Sequence, residues 1–271
     1  MLKWLTMLCS FAAISSAAPT ELHRLAQHRS IRPFSHPGST HSTGLCITSA
    51  GLNGTTVSAA EYSSNWAGAV ATDQNVTSVS GVFTVPRTRV PSESSRDVQY
   101  GAAAWVGIDG WTCGSAILQT GVTMTVRNGQ ATYSAWYEWF PDYMRTFSSL
   151  KVIPGDEIKA TVEARSRTSG TATVENLTTG KKAQHTWRDA SDLGELCQTN
   201  AEWIVEDFSV GGKLIPFADF GRVRFENASY VAVGQTHGVR GAMEVNIAHD
   251  NDVLARCRKE GRSAVECTYE G

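Results

Sequence analysis

Three short stretches hold the side chains whose types and spacing could do chemistry. They are Ile117 to Gly121, Tyr133 to Phe140, and Asn200 to Phe208. With the period of a strand, Glu138 falls on one face between Trp136 and Phe140. A carboxylate bracketed by aromatics is either an acid with a raised pKa or a hydrogen-bond hub beneath a binding groove. Glu202 and Glu206 share a face with Ile204 between them, their backbones about 13 Å apart at roughly 3.3 Å per residue. Two carboxyls that flank one glycosidic bond need roughly 5 to 9.5 Å. A single working carboxylate with a different partner is therefore the more economical chemistry. Gln119 shares a face with Ile117 and Gly121, and an amide among such neighbours must be satisfied or offered to a ligand.

Other hydrolytic machinery is missing. The sequence has no Gly-x-Ser-x-Gly elbow, and neither Asp-Thr-Gly nor Asp-Ser-Gly occurs. Beyond residue 61 the only histidines are His185, His237 and His249, and His249 beside Asp250 reads as a solvated turn. No Cys-x-x-Cys pair and no clustered histidines accompany the cysteines, so neither a metal nor another cofactor is expected.

The elements that must position these side chains read as strands. Ala104-Trp105-Val106-Gly107-Ile108-Asp109-Gly110 and Ala116 to Gly121 form two strands joined by a turn. Trp105, Gly107 and Asp109 are expected on one face, with Ala104, Val106 and Ile108 on the other. Further short runs are Gly81–Val85, Ala131–Phe140, Leu150–Ile153, Glu157–Ala164, Ala172–Leu177, Trp203–Val210, Arg222–Phe225 and Tyr230–Val233. Turn chemistry such as Pro154-Gly155-Asp156 and Thr179-Gly180-Lys181 separates them. With no long segment of period 3.6, the chain from Tyr62 to Gly271 is predicted to be an all-β sandwich or barrel.

The 271 residues are 41% hydrophobic and 18% charged, with a formal net charge of -2. That is enough for a real core and carries neither a nucleic-acid footprint nor a polybasic membrane patch. Met1-Leu2-Lys3, the apolar run Trp4 to Ile14 and the small residues Ser15-Ser16-Ala17 read as a secretory signal over residues 1–17. Residues 18–61 carry Arg24, Arg29, Arg32 and four of the seven histidines, against Glu21 and Glu61. Of the 24 basic residues four precede Tyr62, and of the 26 acids two do, which leaves the body at -4. A basic leader on an acidic body suggests a pro-segment held partly by charge, acting as an intramolecular inhibitor.

An oxidising destination suits the cysteines. Cys46 lies in the leader, while Cys113, Cys197, Cys257 and Cys267 form an even set in the body with three possible pairings. Cys257 with Cys267 as a terminal hairpin clamp and Cys113 with Cys197 as the long closure is the favoured pairing. Asn53, Asn75, Asn176 and Asn227 each begin a glycosylation sequon.

Several of these motifs recur in one order in a known family. Trp105-Val106-Gly107-Ile108-Asp109-Gly110, Ala116 to Gly121, Tyr137 to Asp142, Thr199 to Phe208 and Ser64-Asn65-Trp66-Ala67-Gly68 together resemble the glutamic peptidases, or eqolisins, of filamentous fungi. The resemblance covers residues 62–271 and loosens after Phe220. It implies a sandwich of two curved antiparallel sheets, lectin-like in shape, with the substrate cleft on a concave face. It also implies a catalytic pair at Gln119 and Glu206, with Trp66, Trp105, Asp109 and Glu138 as binding or supporting residues. One position departs, because the acid expected before the Ala-Trp-Tyr-Glu-Trp run is Ser134.

The residue types suit hydrolysis in acid. A protonated histidine cannot accept a proton there, whereas a glutamate of ordinary pKa about 4.3 can. The expectation is a secreted, monomeric, pepstatin-insensitive acid endopeptidase acting on polypeptides. Its rivals are a lectin or glucanase on the same sandwich, dependent on Glu138 or Glu202, and a non-enzymatic wall or adhesion module.

Overall fold

The computed structural model describes residues 60–210, 213–250 and 252–271. The signal, nearly all of the leader, Cys46 and the Asn53 sequon lie outside the described residues. The strands in chain order are β1 (Glu61–Ser63), β2 (Trp66–Thr72), β3 (Val76–Thr84), β4 (Tyr100–Ile108), β5 (Ile117–Arg127) and β6 (Gln130–Phe140). They continue with β7 (Arg145–Thr146), β8 (Glu157–Ser166), β9 (Ser169–Asn176), β10 (Lys181–Trp187), β11 (Asn200–Glu206) and β12 (Ser209–Val210). The last six are β13 (Lys213–Leu214), β14 (Arg222–Ala232), β15 (Gln235–Gly238), β16 (Met243–His249), β17 (Asp252–Glu260) and β18 (Ala264–Tyr269). The helices among the described residues are two short 3-10 turns, Ser191–Leu193 and Val239–Gly241. The all-β reading of the sequence is what the structure shows.

Hydrogen bonding runs in one path, β10-β9-β8-β3-β14-β18-β17-β16-β2-β11-β4-β5-β6-β7. The path changes layer at β14. Its first residues, Arg222 to Phe225, pair with β18, while Glu226 to Ala232 pair with β3 across two register shifts. The stretches Arg222–Phe225 and Tyr230–Val233, separate runs in the sequence, are thus parts of one bent strand. The residue at the bend, Asn227, has a left-handed φ of 50°.

Period two sorts the residues of the site-bearing layer onto two faces. Ala104, Val106, Ile108, Leu118, Val122, Ala201, Trp203 and Val205 pack with Val79, Phe83, Ile158, Val162 and Val174 of the facing layer. Ala103, Trp105, Ile117, Trp136 and Ile204 point the other way and build a second apolar cluster with Trp66 and Phe208. A sheet apolar on both faces must be covered on both, and here every residue of β4 and β11 is buried.

One predicted strand is not one. Leu150–Ile153 forms a loop whose Leu150 and Val152 pack on the core, while Ile153 N–H donates to the Asp156 carboxylate at 3.0 Å. The Pro154-Gly155-Asp156 turn consumes the backbone group that a ladder would have used. The Trp203–Val210 run also breaks, since β11 ends at Glu206. Disulfides join Cys113 to Cys197 and Cys257 to Cys267. Asn75 and Asn227 are exposed and left-handed, Asn75 before β3 and Asn227 at the bend of β14. Asn176, which also begins a sequon, stands in a different setting. It is fully buried, and its side-chain nitrogen donates to the Asp156 carboxylate at 2.8 Å, so a glycan there would have to break that packing.

Gly121 lets β4 and β5 approach beneath Trp105. A Cβ there would fall 2.1 Å from the Ala104 carbonyl oxygen and 2.6 Å from the Trp105 Cα. Neither is a movable side-chain end. Gly121→Ala should therefore lower unfolding stability by about 1–3 kcal/mol or more, read by chemical denaturation in acid. An unchanged midpoint would contradict this packing.

Candidate active site

The strand order β2-β11-β4-β5-β6 carries the chemistry-bearing side chains in two neighbouring rows. In one row Glu202 of β11 lies opposite Gly107 of β4, which lies opposite Gln119 of β5, which lies opposite Glu138 of β6. In the other row Glu206 is flanked by Trp66 of β2 and Ala103 of β4, and the row continues through Thr123 to Ser134. Between the rows run Ile204, Trp105, Gly121 and Trp136. All of these residues share the face of the second apolar cluster, because their positions on each strand differ by even steps.

Gly107 is the gap that lets the polar row assemble. A Cβ there would meet the Trp105 ring at 2.8 Å, Glu202 Oε2 at 3.3 Å and Gln119 Cβ at 3.4 Å. Gln119 is fully buried, and its Nε2 donates to Glu138 Oε2 at 2.6 Å. An amide nitrogen carries two hydrogens, so one N–H of Gln119 is committed to Glu138. Its carbonyl oxygen is buried without a hydrogen-bond partner among the described residues. That polar atom has been taken from water with nothing in return, as happens where a ligand or water is to be held.

Glu206, also fully buried, accepts from Trp105 Nε1 at Oε2 (2.8 Å) and from Asn65 Nδ2 at Oε1 (3.4 Å). Burial pushes its carboxyl well above the usual range; Trp105 and the nearby Trp66 indole oppose this, and the charges of Glu138 and Asp207 reinforce it. The ordinary glutamate value expected from the sequence thus gives way to a raised one. Glu138 is raised chiefly by burial, against the Gln119 hydrogen bond. Burial and the charge of Asp109 raise Glu202, whose Oε1 accepts from Trp111 N–H at 3.2 Å. Asp207, next to Glu206, is pushed up to about 8 by burial.

Trp66, Trp105 and Glu138 stand around Gln119 and Glu206, with Trp66 edge-on to Trp105 at 4.9 Å between ring centroids. Asp109 does not share their face. Strand β4 ends at Ile108, and Asp109 turns through a left-handed φ of 68°. Its carboxylate accepts the backbone N–H groups of Gln198, Thr199 and Asn200 at 2.8, 2.7 and 3.2 Å. Asp109 therefore supports from behind, fixing the start of β11. The adjacent Cys113–Cys197 bridge ties the same two segments.

His249 also departs from the sequence reading. Its Nε2 donates to the Ser64 carbonyl oxygen at 2.6 Å and lies 3.8 Å from Asp207 Oδ2, so it braces the segment before Trp66 instead of lying in a free turn. Sequence reasoning assigned no role to Ser63 and Asn65. Ser63 Oγ accepts from Trp66 N–H at 3.1 Å and donates to Asn65 Oδ1 at 3.3 Å. The available signal was the polar Ser63-Ser64-Asn65 run directly before a buried tryptophan.

Similarity to known proteins extends over the whole of this region. The model of the Peptidase A4 family matches residues 64–269. The chain is 45% identical to aspergillopepsin-2 of Aspergillus niger, over 96% of each chain. It is 39% identical to scytalidopepsin B of Scytalidium lignicola, over 78% of this chain and 79% of that one. A crystal structure of scytalido-glutamic peptidase with a transition state analog inhibitor matches with a TM-score of 0.69 at 38% identity, covering 76% of this chain and 98% of the other. The crystal structure of aspergilloglutamic peptidase from Aspergillus niger matches with a TM-score of 0.61 at 52% identity, covering 63% and 99%. The chain belongs to the Peptidase A4 family, the glutamic peptidases or eqolisins.

Proposed function

We propose that this protein is a secreted acid endopeptidase in which Glu206 and Gln119 act on one peptide bond. The observation that carries the reading is their shared face, with Trp105 between them and its indole N–H on Glu206. Glu206 in its ionised form takes a proton from a water whose oxygen attacks the peptide carbonyl carbon. The N–H of Gln119 not given to Glu138 donates to the developing oxyanion, and its unpartnered carbonyl oxygen holds the water. Glu206 then passes its proton to the amine nitrogen as the carbon–nitrogen bond breaks.

A raised pKa leaves few ionised Glu206 groups in acid but makes each one a stronger base, and the two effects partly offset. Glu138 is kept neutral by burial and orients Gln119 through the 2.6 Å hydrogen bond. Residues 1–17 as a signal and 18–61 as an inhibitory pro-segment complete the proposal, along with action as a monomer on polypeptides. On the rival reading as a glucanase, Glu138 and Glu202 would have to flank one bond. Glu138 is instead engaged with Gln119, whose Nε2 donates to it at 2.6 Å.

Gln119→Ala and Glu206→Gln should each cut cleavage of a denatured protein substrate by at least about 10²-fold. The assay is run on leader-free protein near pH 3 with pepstatin present, and circular dichroism should be unchanged. Glu202→Gln should keep most of the activity. Cleavage surviving both of the first two changes would defeat the assignment.

Burial of these acids also sets the pH range of the fold. Each binds its proton more tightly folded than unfolded, so their contribution is fully present below the unfolded values near 4. It is lost as pH rises through the raised folded values, for Asp207 between about 4 and about 8. The exposed ion pairs are worth little against this. The thermal midpoint should fall steadily from pH 4 to pH 8, and a rise over that interval would contradict the buried, neutral carboxyls.

A further inference from the structure

At the edge of the site-bearing layer lies a groove of about 1020 Å³ that plays no part in the chemistry above. Its lining includes Arg87, Arg89, Arg96 and Lys151, all exposed, and none of them in an ion pair among the described residues. Glu93 and Tyr133 are the other titratable side chains on the lining. Four cations against one acid is a strong local imbalance in a body whose net charge is negative.

A second, independent observation points to a ligand. Thr88 also lines the groove and is 4% exposed, yet its hydroxyl has no hydrogen-bond partner among the described residues. A buried hydroxyl seldom goes unused, and this one lies between Arg87 and Arg89 in the chain. Phe147 and Leu150, packed on the first apolar cluster, also line the groove.

The groove and the row that holds Glu206 share one residue. Ser134, on its lining, is reached from Glu206 by way of Ala103 and Thr123. Three strand spacings make about 14 Å, or four to five residues of extended chain. The leader does not match this charge, since Arg24, Arg29 and Arg32 face only Glu21 and Glu61 in residues 18–61.

We propose that this groove is an exosite for a carboxylate-rich segment of the substrate polypeptide, lying about four to five residues from the scissile bond. The inference rests on the peptidase reading and adds a preference to it. Arginine and lysine keep their charge throughout the acid range, whereas aspartate of ordinary pKa about 3.9 is ionised at pH 5 and neutral at pH 2.5. The preference for acidic substrates therefore appears only toward the upper end of that range.

The test uses two fluorogenic peptides with one common cleavage sequence, carrying either three aspartates or three asparagines four to six residues from the scissile bond on either side. At pH 5 the aspartate peptide should show a kcat/KM about tenfold higher, through KM. The ratio should fall to about one at pH 2.5, in roughly 0.5 M salt, and in Arg87→Gln/Arg96→Gln, whose cleavage of the asparagine peptide should be unchanged. Binding of the labelled aspartate peptide to Glu206→Gln protein, followed by fluorescence anisotropy at pH 5, reads the groove without turnover. Adding Thr88→Val should weaken that binding without lowering the thermal midpoint, because it removes an unpaired hydroxyl. Equal cleavage of the two peptides at pH 5, or binding indifferent to the arginine and threonine changes, overturns the exosite while the peptidase reading stands. Failure to cleave either peptide, with binding intact, overturns the peptidase reading alone.

Discussion

The 2.8 Å hydrogen bond from the Trp105 indole to Glu206 joins the two polar rows of this sheet face. A fully buried carboxyl has lost its water, and what it keeps depends on donors brought to it by the fold. Trp105 supplies one, Asn65 a second, and the Trp66 indole stands close by. Everything that fixes Trp105 therefore also tunes Glu206. The list includes the absent side chain at Gly121, the edge-on Trp66 ring and the ladder of β4 with β5 and β11.

The wider architecture explains how such a face can exist. Four acids on or beside one sheet face would repel one another and seek water if that face stood alone. Here the opposite face of the same strands is locked into the sandwich core, and apolar side chains from loops pack around the polar rows. Burial then keeps the acids neutral through the acid range, so that repulsion is largely removed. Asp109 and the Cys113–Cys197 bridge hold the start of β11 in register, on which the positions of Glu202 and Glu206 both depend.

Much of this was legible in the sequence, for an identifiable reason. Alternation along strands depends on local order alone, so the shared face of Trp105 and Gly107, and that of Glu202 and Glu206, followed directly from the residues. Asp109 did not follow, because alternation stops where a strand stops, and the Asp109-Gly110 pair is a turn signal that ends the strand one residue earlier. Leu150–Ile153 has strand composition but spends its backbone on a turn. The raised Glu206 pKa depends on what covers the sheet, and the cationic groove brings Lys151 to Arg87, Arg89 and Arg96 of a segment more than fifty residues earlier. Neither property resides in any one segment. Strands β16 to β18 carry mixed polar runs and pair with one another as sequence neighbours, but they join the sheet through β2 and β14, which are distant in the chain.

The most direct measurement is the pH dependence of kcat/KM for Trp105→Phe beside the unaltered protein. Losing a donor to a charged carboxylate removes about 1.5–3 kcal/mol from its ionised form. The acid limb of the profile should therefore move to higher pH by about one to two units, with the plateau retained in part. A profile lowered at every pH with its acid limb unmoved would mean that Glu206 is not the group whose ionisation drives hydrolysis.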